Sequence, residues 1–394
     1  MANTLLTVDQ ITREALRVLH EKLSFIGTIN RDYDSSFAKS GAKIGDTLRV
    51  RLPNQYTVRT GATLSAQDTT ERKVDLAVTT QKGVDMNFTS AELTMDLDDF
   101  SKRIIEPAMA VLASNVESDA LTGMTPDVYN LVGTAGTTPN SLLTYLQARQ
   151  KLNQGLAPKD DNRCLQIDSE ASATIVNALT GLFHDSNQIA KQYREGMMGR
   201  SAGFDWYENE RAYVHSNGAD VAGAINDAGA TIASGDTTIP VDGFTAALAV
   251  GSVFTIANVY AVHPETKQAY SHLQQFTVTS ATTTAITLSP AIYSTGALQN
   301  VDSLPADNAA ITAVGSASTD YNHNLAYHKD AFAFATADLV KPDGVDFCSR
   351  QVYDGISMRV IRDYDINNDK FPCRLDILYG YQTIRPELAC RITS

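Results

Sequence analysis

The chain has 394 residues, 43% of them hydrophobic and 20% charged, and a net charge of −13. That composition belongs to folded globular proteins, and the length exceeds one compact core, so two or three domains are expected. The acidic balance excludes broad nucleic-acid binding, which needs many Lys/Arg–phosphate contacts, and no apolar run reaches the length of a membrane span.

The opening residues, MANTLLTVDQ, lack the basic start and apolar core of a secretory signal. Thr7 to Leu23 carries Ile11, Ala15, Val18, Leu19 and Leu23 on one helical face, and Thr7 with Gln10 fits a capping box. The helix precedes any core element. It is either an arm for another subunit or a helix packed on its own domain.

Ile44 to Phe88 reads as a long β-hairpin. Leu48, Val50 and Leu52 alternate with arginines, and Val74, Leu76, Val78 and Val84, Met86, Phe88 alternate with polar residues. The segment between them, Pro53 to Thr70, is polar. An isolated hairpin is marginal in water, so this one is expected to lie against something, such as another subunit.

Asp98 to Leu121 reads as the longest helix, ended by Gly123. Pro107 either kinks it or stands at the first turn of a new helix. Ser141–Asn153 is a second helix, closed by Gly155 and Pro158. A strand at Cys164–Ile167, a helix at Ser169–Leu179 and an aromatic strand at Phe204–Tyr207 follow.

From Asn217 to Asp320 the composition changes. This stretch has fifteen threonines, eight acidic residues, one lysine (Lys267) and no arginine, and so carries −7 of the net −13. Short strands are expected at Thr238–Val241, Ser252–Val262, Leu273–Thr279 and Ala285–Leu288. Turns at Gly243, Gly251, Pro264 and Pro290 separate them. Such a pattern suggests a small barrel or sandwich inserted in a larger α+β host. The host resumes with strands at Ala331–Ala337, Ser357–Tyr364, Leu375–Tyr379 and Leu388–Ile392.

Candidate chemistry is sparse. Gly199-Arg200-Ser201-Ala202-Gly203 matches G-x-S-x-G, but a nucleophile elbow needs a buried strand before the serine and a helix after it. Neither is expected here, so a loop match is the reading. His323 and His328 are five apart and read as hydrogen-bonding histidines rather than metal ligands. Asp363, Asp365 and Asp369 lack the glycine and terminal glutamate of a calcium loop and read as a solvated turn. Cys164, Cys348, Cys373 and Cys390 show no CxxC spacing and read as reduced thiols. No cofactor or metal is expected, and nothing argues for an enzyme.

Several strings carry a resemblance: Phe88–Leu93 leading into Ile104–Met109, Tyr193–Gly196, Gly199-Arg200, Gly203–Glu208, Asn324–Phe332 and Arg374–Gly380. Together with the element order they resemble the tailed-phage major capsid proteins. The closer likeness is to the P-twenty-two-like coat proteins, the branch of the Hong Kong 97 capsid fold with an inserted β-barrel. The resemblance implies an α+β protein with an N-terminal arm at 1–30 and an extended-loop hairpin at 31–90. It further implies a peripheral domain with its spine helix at 91–137, an axial domain at 138–216, the insert at 217–320 and a return to the host at 321–394.

It also implies a structural role. Many copies would form hexamers and pentamers of an icosahedral shell around packaged double-stranded DNA, in the virion, after assembly in the bacterial cytoplasm. A scaffolding protein and a portal are the implied partners, with no membrane. Some relatives crosslink their shells through lysine and asparagine; Lys73 and Lys82 lie in the hairpin, but the barrel-bearing branch is not expected to crosslink. The charge contrast suggests that a basic hairpin (Arg49, Arg51, Arg59, Arg72, Lys73) meets acidic surface on the next subunit at Asp96, Asp98 and Asp99. The alternative for that face is simple solvation. Rival readings of the whole chain are a β-rich phage adhesin or carbohydrate-binding structural protein, resting on the Thr-rich insert, and a serine hydrolase, resting on Ser201.

Overall fold

The computed structural model describes residues 15, 23–31, 47–64, 66–68, 71–89, 106–179, 199–345, 347–353, 356–368 and 370–394. They divide into two compact units. One draws on 1–50, 74–120 and 332–382, and the other on 51–73, 121–331 and 383–394.

In the first unit, β1 (Thr47–Arg51) and β2 (Lys73–Ala77) form a two-stranded ribbon whose tip belongs to the second unit's span. The expected hairpin is thus shorter than 44–88. β3 (Thr80–Thr89) leaves it and joins a five-stranded sheet, because its ten residues find a longer partner elsewhere. α1 (Glu106–Met124) is the described part of the long helix; residues 98–105, and with them the choice between a kink and a new helix at Pro107, lie outside the described residues. Gly123 does not end this helix, which runs on to Met124. Pro126, in the 3-10 turn Thr125–Asp127, follows, where a missing N–H cannot continue the helical ladder.

The chain returns to this unit with β16 (Phe332–Ala337), β17 (Phe347–Tyr353), β18 (Ile356–Arg362) and β19 (Lys370–Thr383). Their order is β16-β19-β18-β17, with β3 along β19 from Lys370↔Thr89 to Tyr379↔Thr80. α1 supplies Met109, Leu112, Ala113, Val116 and Ala120 as one buried stripe, the 3.6-residue period seen in the sequence. Asp119 fixes the helix to the sheet. It accepts from Tyr379 Oη at 2.6 Å and pairs with Lys82 Nζ at 2.6 Å. Glu117, fully buried, accepts from Phe25 N at 2.6 Å and Ser24 Oγ at 2.9 Å. Of the expected N-terminal helix, Ala15 is helical and buried, Leu23 is not helical, and 7–14 and 16–22 lie outside the described residues.

In the second unit, β4 (Leu131–Val132), β5 (Arg163–Ile167), β6 (Arg200–Ser201), β7 (Phe204–Glu208), β8 (Tyr213–Ser216), β15 (Asp320–His328) and β20 (Ala389–Thr393) make a seven-stranded sheet. Its order is β4-β20-β15-β5-β7-β6, with β8 also on β15. α2 (Leu142–Gln154) begins where the Ser141 side chain accepts from Leu143 N and ends at Gly155. It buries Tyr145, Ala148 and Leu152, with Tyr145 against Trp206 at 4.8 Å between ring centroids. α3 (Ser169–Leu179) begins at Asp168, whose Oδ1 accepts from Ala171 N.

Between β8 and β15 the chain makes a closed barrel. β9 (Ala222–Ile225), β10 (Asp236–Asp242), β11 (Val253–Val262), β12 (Ala269–Ala281), β13 (Ala285–Ile292) and β14 (Ala310–Ala313) close in the order β10-β13-β12-β11-β14-β9. Closure leaves no sheet edge. The interior is apolar, with Ile239, Val241, Phe254, Ile256, Phe276, Val278, Ile286, Leu288 and Ile311 all buried. The four strands read from sequence are present, three of them longer and the second one residue shorter, but Pro290 lies inside β13 rather than in a turn. Chain entry and exit run side by side. Asn217 N donates to Thr319 O, Ser318 N to Gly218 O, and Asn217 Nδ2 to the carbonyls of Val314 and Ser316. This pairing lets the barrel interrupt the host while β8 and β15 stay in register, Ser216↔Asp320 to Tyr213↔His323.

Candidate assembly site

Two places in the molecule have the character of contact machinery: the tip of the β1–β2 ribbon and the seat of the barrel on the seven-stranded sheet.

The described residues of the tip, 52–64, 66–68 and 71–72, carry no regular secondary structure, yet their side chains brace it. Gln67 Oε1 accepts from both Thr57 N and Thr57 Oγ1 at 2.9 Å, and Gln67 Nε2 donates to Thr57 O at 2.6 Å. Arg59 Nη1 donates to the carbonyls of Gly61 and Thr63. These bonds hold three apolar side chains outward: Val58 is 93% exposed, Leu64 83% and Tyr56 57%. Of the basic residues expected to form the contact, Arg49, Arg51, Arg59 and Lys73 are exposed and Arg72 is partly buried. Arg51 also meets Glu71 across the ribbon at 3.6 Å, and Arg59 is engaged by its own loop. Asp96, Asp98 and Asp99 lie outside the described residues.

The barrel seat is built around Arg391 in β20, which is fully buried. Its Nε donates to Val128 O at 2.6 Å, Nη1 to Gly251 O at 2.7 Å, and Nη2 to Pro126 O at 3.0 Å and Thr277 Oγ1 at 3.1 Å. One guanidinium thereby joins the end of the chain, the 3-10 turn after α1 and two barrel strands. Burial pushes it down to about 10, and it remains a cation at neutral pH. Its hydrogen-bond acceptors are carbonyls and a hydroxyl rather than carboxylates, so its desolvation is offset by four charge-assisted hydrogen bonds. Gln275 continues the seat. Its Oε1 accepts from Leu131 N at 3.1 Å and its Nε2 donates to Leu131 O at 2.8 Å, mimicking a paired strand. Thr277 Oγ1 donates to Pro126 O at 2.7 Å. At Gly251, with φ +86°, a side chain would press on Pro126 and Tyr213.

Sequence reasoning placed Gly251 in a turn but missed Arg391, Gln275 and Thr277 as parts of a seat. The one signal for Arg391 was a cation inside the apolar run of residues 388–392. The G-x-S-x-G match, by contrast, is now explained. Ala202 and Gly203 both have positive φ, 53° and 85°, and form the two-residue turn between β6 and β7. Ser201 ends a strand there, so the local order of a nucleophile elbow is absent. His328 hydrogen bonds as expected, to Asp160 at 3.1 Å and from Asp330 N at 3.2 Å. His323 differs: its Nδ1 is buried and has no partner among the described residues. Asp365 accepts from Asn367 N and Asn368 Nδ2, while Asp369 lies outside the described residues. Among the described residues no helix is long and apolar enough to cross a membrane, and no three metal-ligating side chains converge.

The described residues make an α+β chain with a closed barrel set into its seven-stranded sheet. The sequence profile of the P22 coat protein - gene protein 5 family matches residues 1–391, and the chain belongs to that family: it is a structural coat protein of a phage virion. No curated protein sequence matches it. Among solved structures it is similar to one from Mycobacterium phage Che8 (12% identity, 94% of this chain and 90% of that one, TM-score 0.49). It is also similar to the capsid structure of the cyanophage P-SCSP1u (11%, 90% and 84%, 0.43). The asymmetric unit of the bacteriophage PhiM1 mature capsid gives 10%, 90% and 82%, and 0.44.

Proposed function

We propose that this coat protein builds an icosahedral shell of hexamers and pentamers in which the tip of the β1–β2 ribbon is held by a neighbouring copy. The observation that supports this reading is the braced tip with Tyr56, Val58 and Leu64 in solvent. Burying three such side chains contributes roughly 1.5–3 kcal/mol each, a moderate contact that repeated around a shell holds it while letting misplaced copies leave. The basic residues Arg49, Arg51, Arg59, Arg72 and Lys73 are assigned to the rim of this contact, with Asp96, Asp98 and Asp99 of the next copy as their acidic counterparts.

The finer architecture belongs to the same proposal. Residues 1–30 are the N-terminal arm, 31–90 the extended loop, 91–137 the peripheral domain with its spine helix and 138–216 the axial domain. Residues 217–320 are the outward insert, and 321–394 return to the host, in a Hong Kong 97-type arrangement. A scaffolding protein and a portal are the proposed assembly partners, double-stranded DNA the content without sequence readout, and the bacterial cytoplasm the place of assembly. Family membership supports a structural rather than an enzymatic role.

The test is reversal of charge. Arg59→Glu should impair assembly of particles seen by negative-stain microscopy, and Asp98→Arg should partly restore it. Normal particles from the single variant would remove Arg59 from the contact.

A further inference from the structure

Beneath the barrel lies a group of titratable side chains for which the coat function has no evident use. β8, β15 and β20 are neighbours in the sheet, and their registers pair His215 with Tyr321, Tyr213 with His323, and Arg391 with Leu325. Residues two apart on a strand share a face, so Tyr213, His215, His323 and Arg391 all point to one side of the sheet. The ring centroids of His215 and His323 are 5.7 Å apart, and Tyr213 lies 6.0 Å from the first and 5.9 Å from the second. His215 is 3% exposed and His323 4%.

The barrel covers this face. His215 Nε2 is 3.0 Å from Ser252 Oγ, and Arg391 reaches Gly251 O and Thr277 Oγ1. On the sheet side, Tyr213 Oη is 3.1 Å from His215 Nδ1. The carboxylates that act on the group are Asp320, on His215, and Asp127, on Arg391; Asn217 is the further polar neighbour of His215. Neither carboxylate is a hydrogen-bond partner of an imidazole. A fixed cation and two imidazoles therefore share one buried interface.

We propose that this interface is a proton-operated latch: a proton on His215 or His323 places a second cation beside Arg391 and releases the barrel from the sheet while barrel and sheet each keep their own strand ladders. Burial and then Arg391 hold His215 down to about 4, and burial, Arg391 and His215 hold His323 well below the ordinary range. Both imidazoles are neutral when the latch is closed. Released into water, each takes up a proton near pH 6.5. The seat is thus fully stable above that pH and weakens as pH falls from 6.5 toward 4. At pH 5.5 the linkage favours the open form by about tenfold for one imidazole and up to about a hundredfold for both. Tyr213 and Ser252 are hydroxyl partners that can reverse donor and acceptor, so charge, rather than a lost hydrogen bond, drives the opening.

The experiment is hydrogen exchange with mass spectrometry on the full chain at pH 7.5 and 5.5, with labelling times scaled to equal intrinsic exchange. Peptides covering 126–132 and 249–253 should exchange at least tenfold faster at pH 5.5, while 254–256 inside the barrel does not change. The double variant His215→Gln, His323→Phe should show no difference between the two pH values. Equal protection of the wild type at both pH values, or the same loss in wild type and double variant, would overturn the latch. Should the double variant not fold, imidazole NMR of the wild type decides. Two histidines titrating below pH 5 support the latch; either of them titrating near 6.5 with the seat still protected overturns it.

Discussion

Arg391 Nη1, in β20, donates to the carbonyl of Gly251 at the corner of the barrel, 2.7 Å away. The other acceptors of this guanidinium are Val128, Pro126 and Thr277. Lysine keeps the charge but cannot span this fork. Arg391→Lys should therefore cost on the order of 3 kcal/mol, since hydrogen bonds to a charged group contribute about 1.5–3 kcal/mol each and stranded carbonyls add a penalty. Urea unfolding followed separately at Trp206 and by exchange at the barrel core checks this. The wild type should unfold in one transition, and the variant should unfold its barrel apart from the sheet.

Gln275 tests the polar character of the seat at a second point. Gln275→Leu keeps the size and removes both bonds to the backbone of Leu131. With a buried N–H and a C=O left unpaired, the loss should be about 2 kcal/mol, read as a lower urea midpoint with an unchanged m-value.

Gly155 has an ordinary φ of −75°, so it is not kept for backbone freedom. A Cβ there would sit 2.1 Å from the carbonyl oxygen of Glu387, which belongs to the 3-10 turn Pro386–Leu388. Gly155→Ala must push the turn and β20 away from α2, and should cost on the order of 2 kcal/mol by overpacking. Thermal unfolding of the variant measures it; Gly27→Ala, with nothing near its Cβ position, is the neutral control.

Asp220 gives the barrel a pH dependence of its own. Thr245 N and Oγ1, at 2.8 and 2.9 Å, with the amides of Val221 and Ala222, hold its carboxyl down to about 2. The folded value lies below the unfolded one, so this group stabilises above about pH 4 and the contribution disappears as pH falls through 2. Asp220→Asn should lower the urea midpoint at pH 7, and the gap to wild type should close between pH 4 and pH 2. A gap of constant width would contradict the role of the carboxylate.

Much of the secondary structure was legible in the sequence. Ser141 and Gly155 bracket α2, and α3 lies where periodicity placed it, at Ser169–Leu179. The long barrel strands show apolar alternation around Phe254, Phe276 and Leu288. β9 and β14 were missed because AGAI and AITA each send a single large side chain, Ile225 and Ile311, into the core. β15 was missed because its Asn and His residues break the apolar alternation; His323 is buried beside His215 and Tyr213 on the barrel side, whereas Asn324 bonds Asp168 and His328 bonds Asp160. The ribbon was read too long because β3 has the same alternation as β2, and only the position of β19 decides which strand it joins. The barrel seat was invisible for a different reason: the hydrogen-bond partners of Arg391 lie between 114 and 265 residues away along the chain. No local pattern encodes such a pairing.

The most direct measurement is electron microscopy of the purified full chain, alone and with a candidate scaffolding protein, for wild type and for Val58→Asp with Leu64→Asp. Wild type should form closed particles with residues 52–72 of each copy lying on another copy. The double variant, with an unchanged melting temperature, should remain small. Wild-type protein that stays monomeric under every condition, or particles in which each ribbon tip touches only its own chain, would contradict a shell held together by exchanged arms.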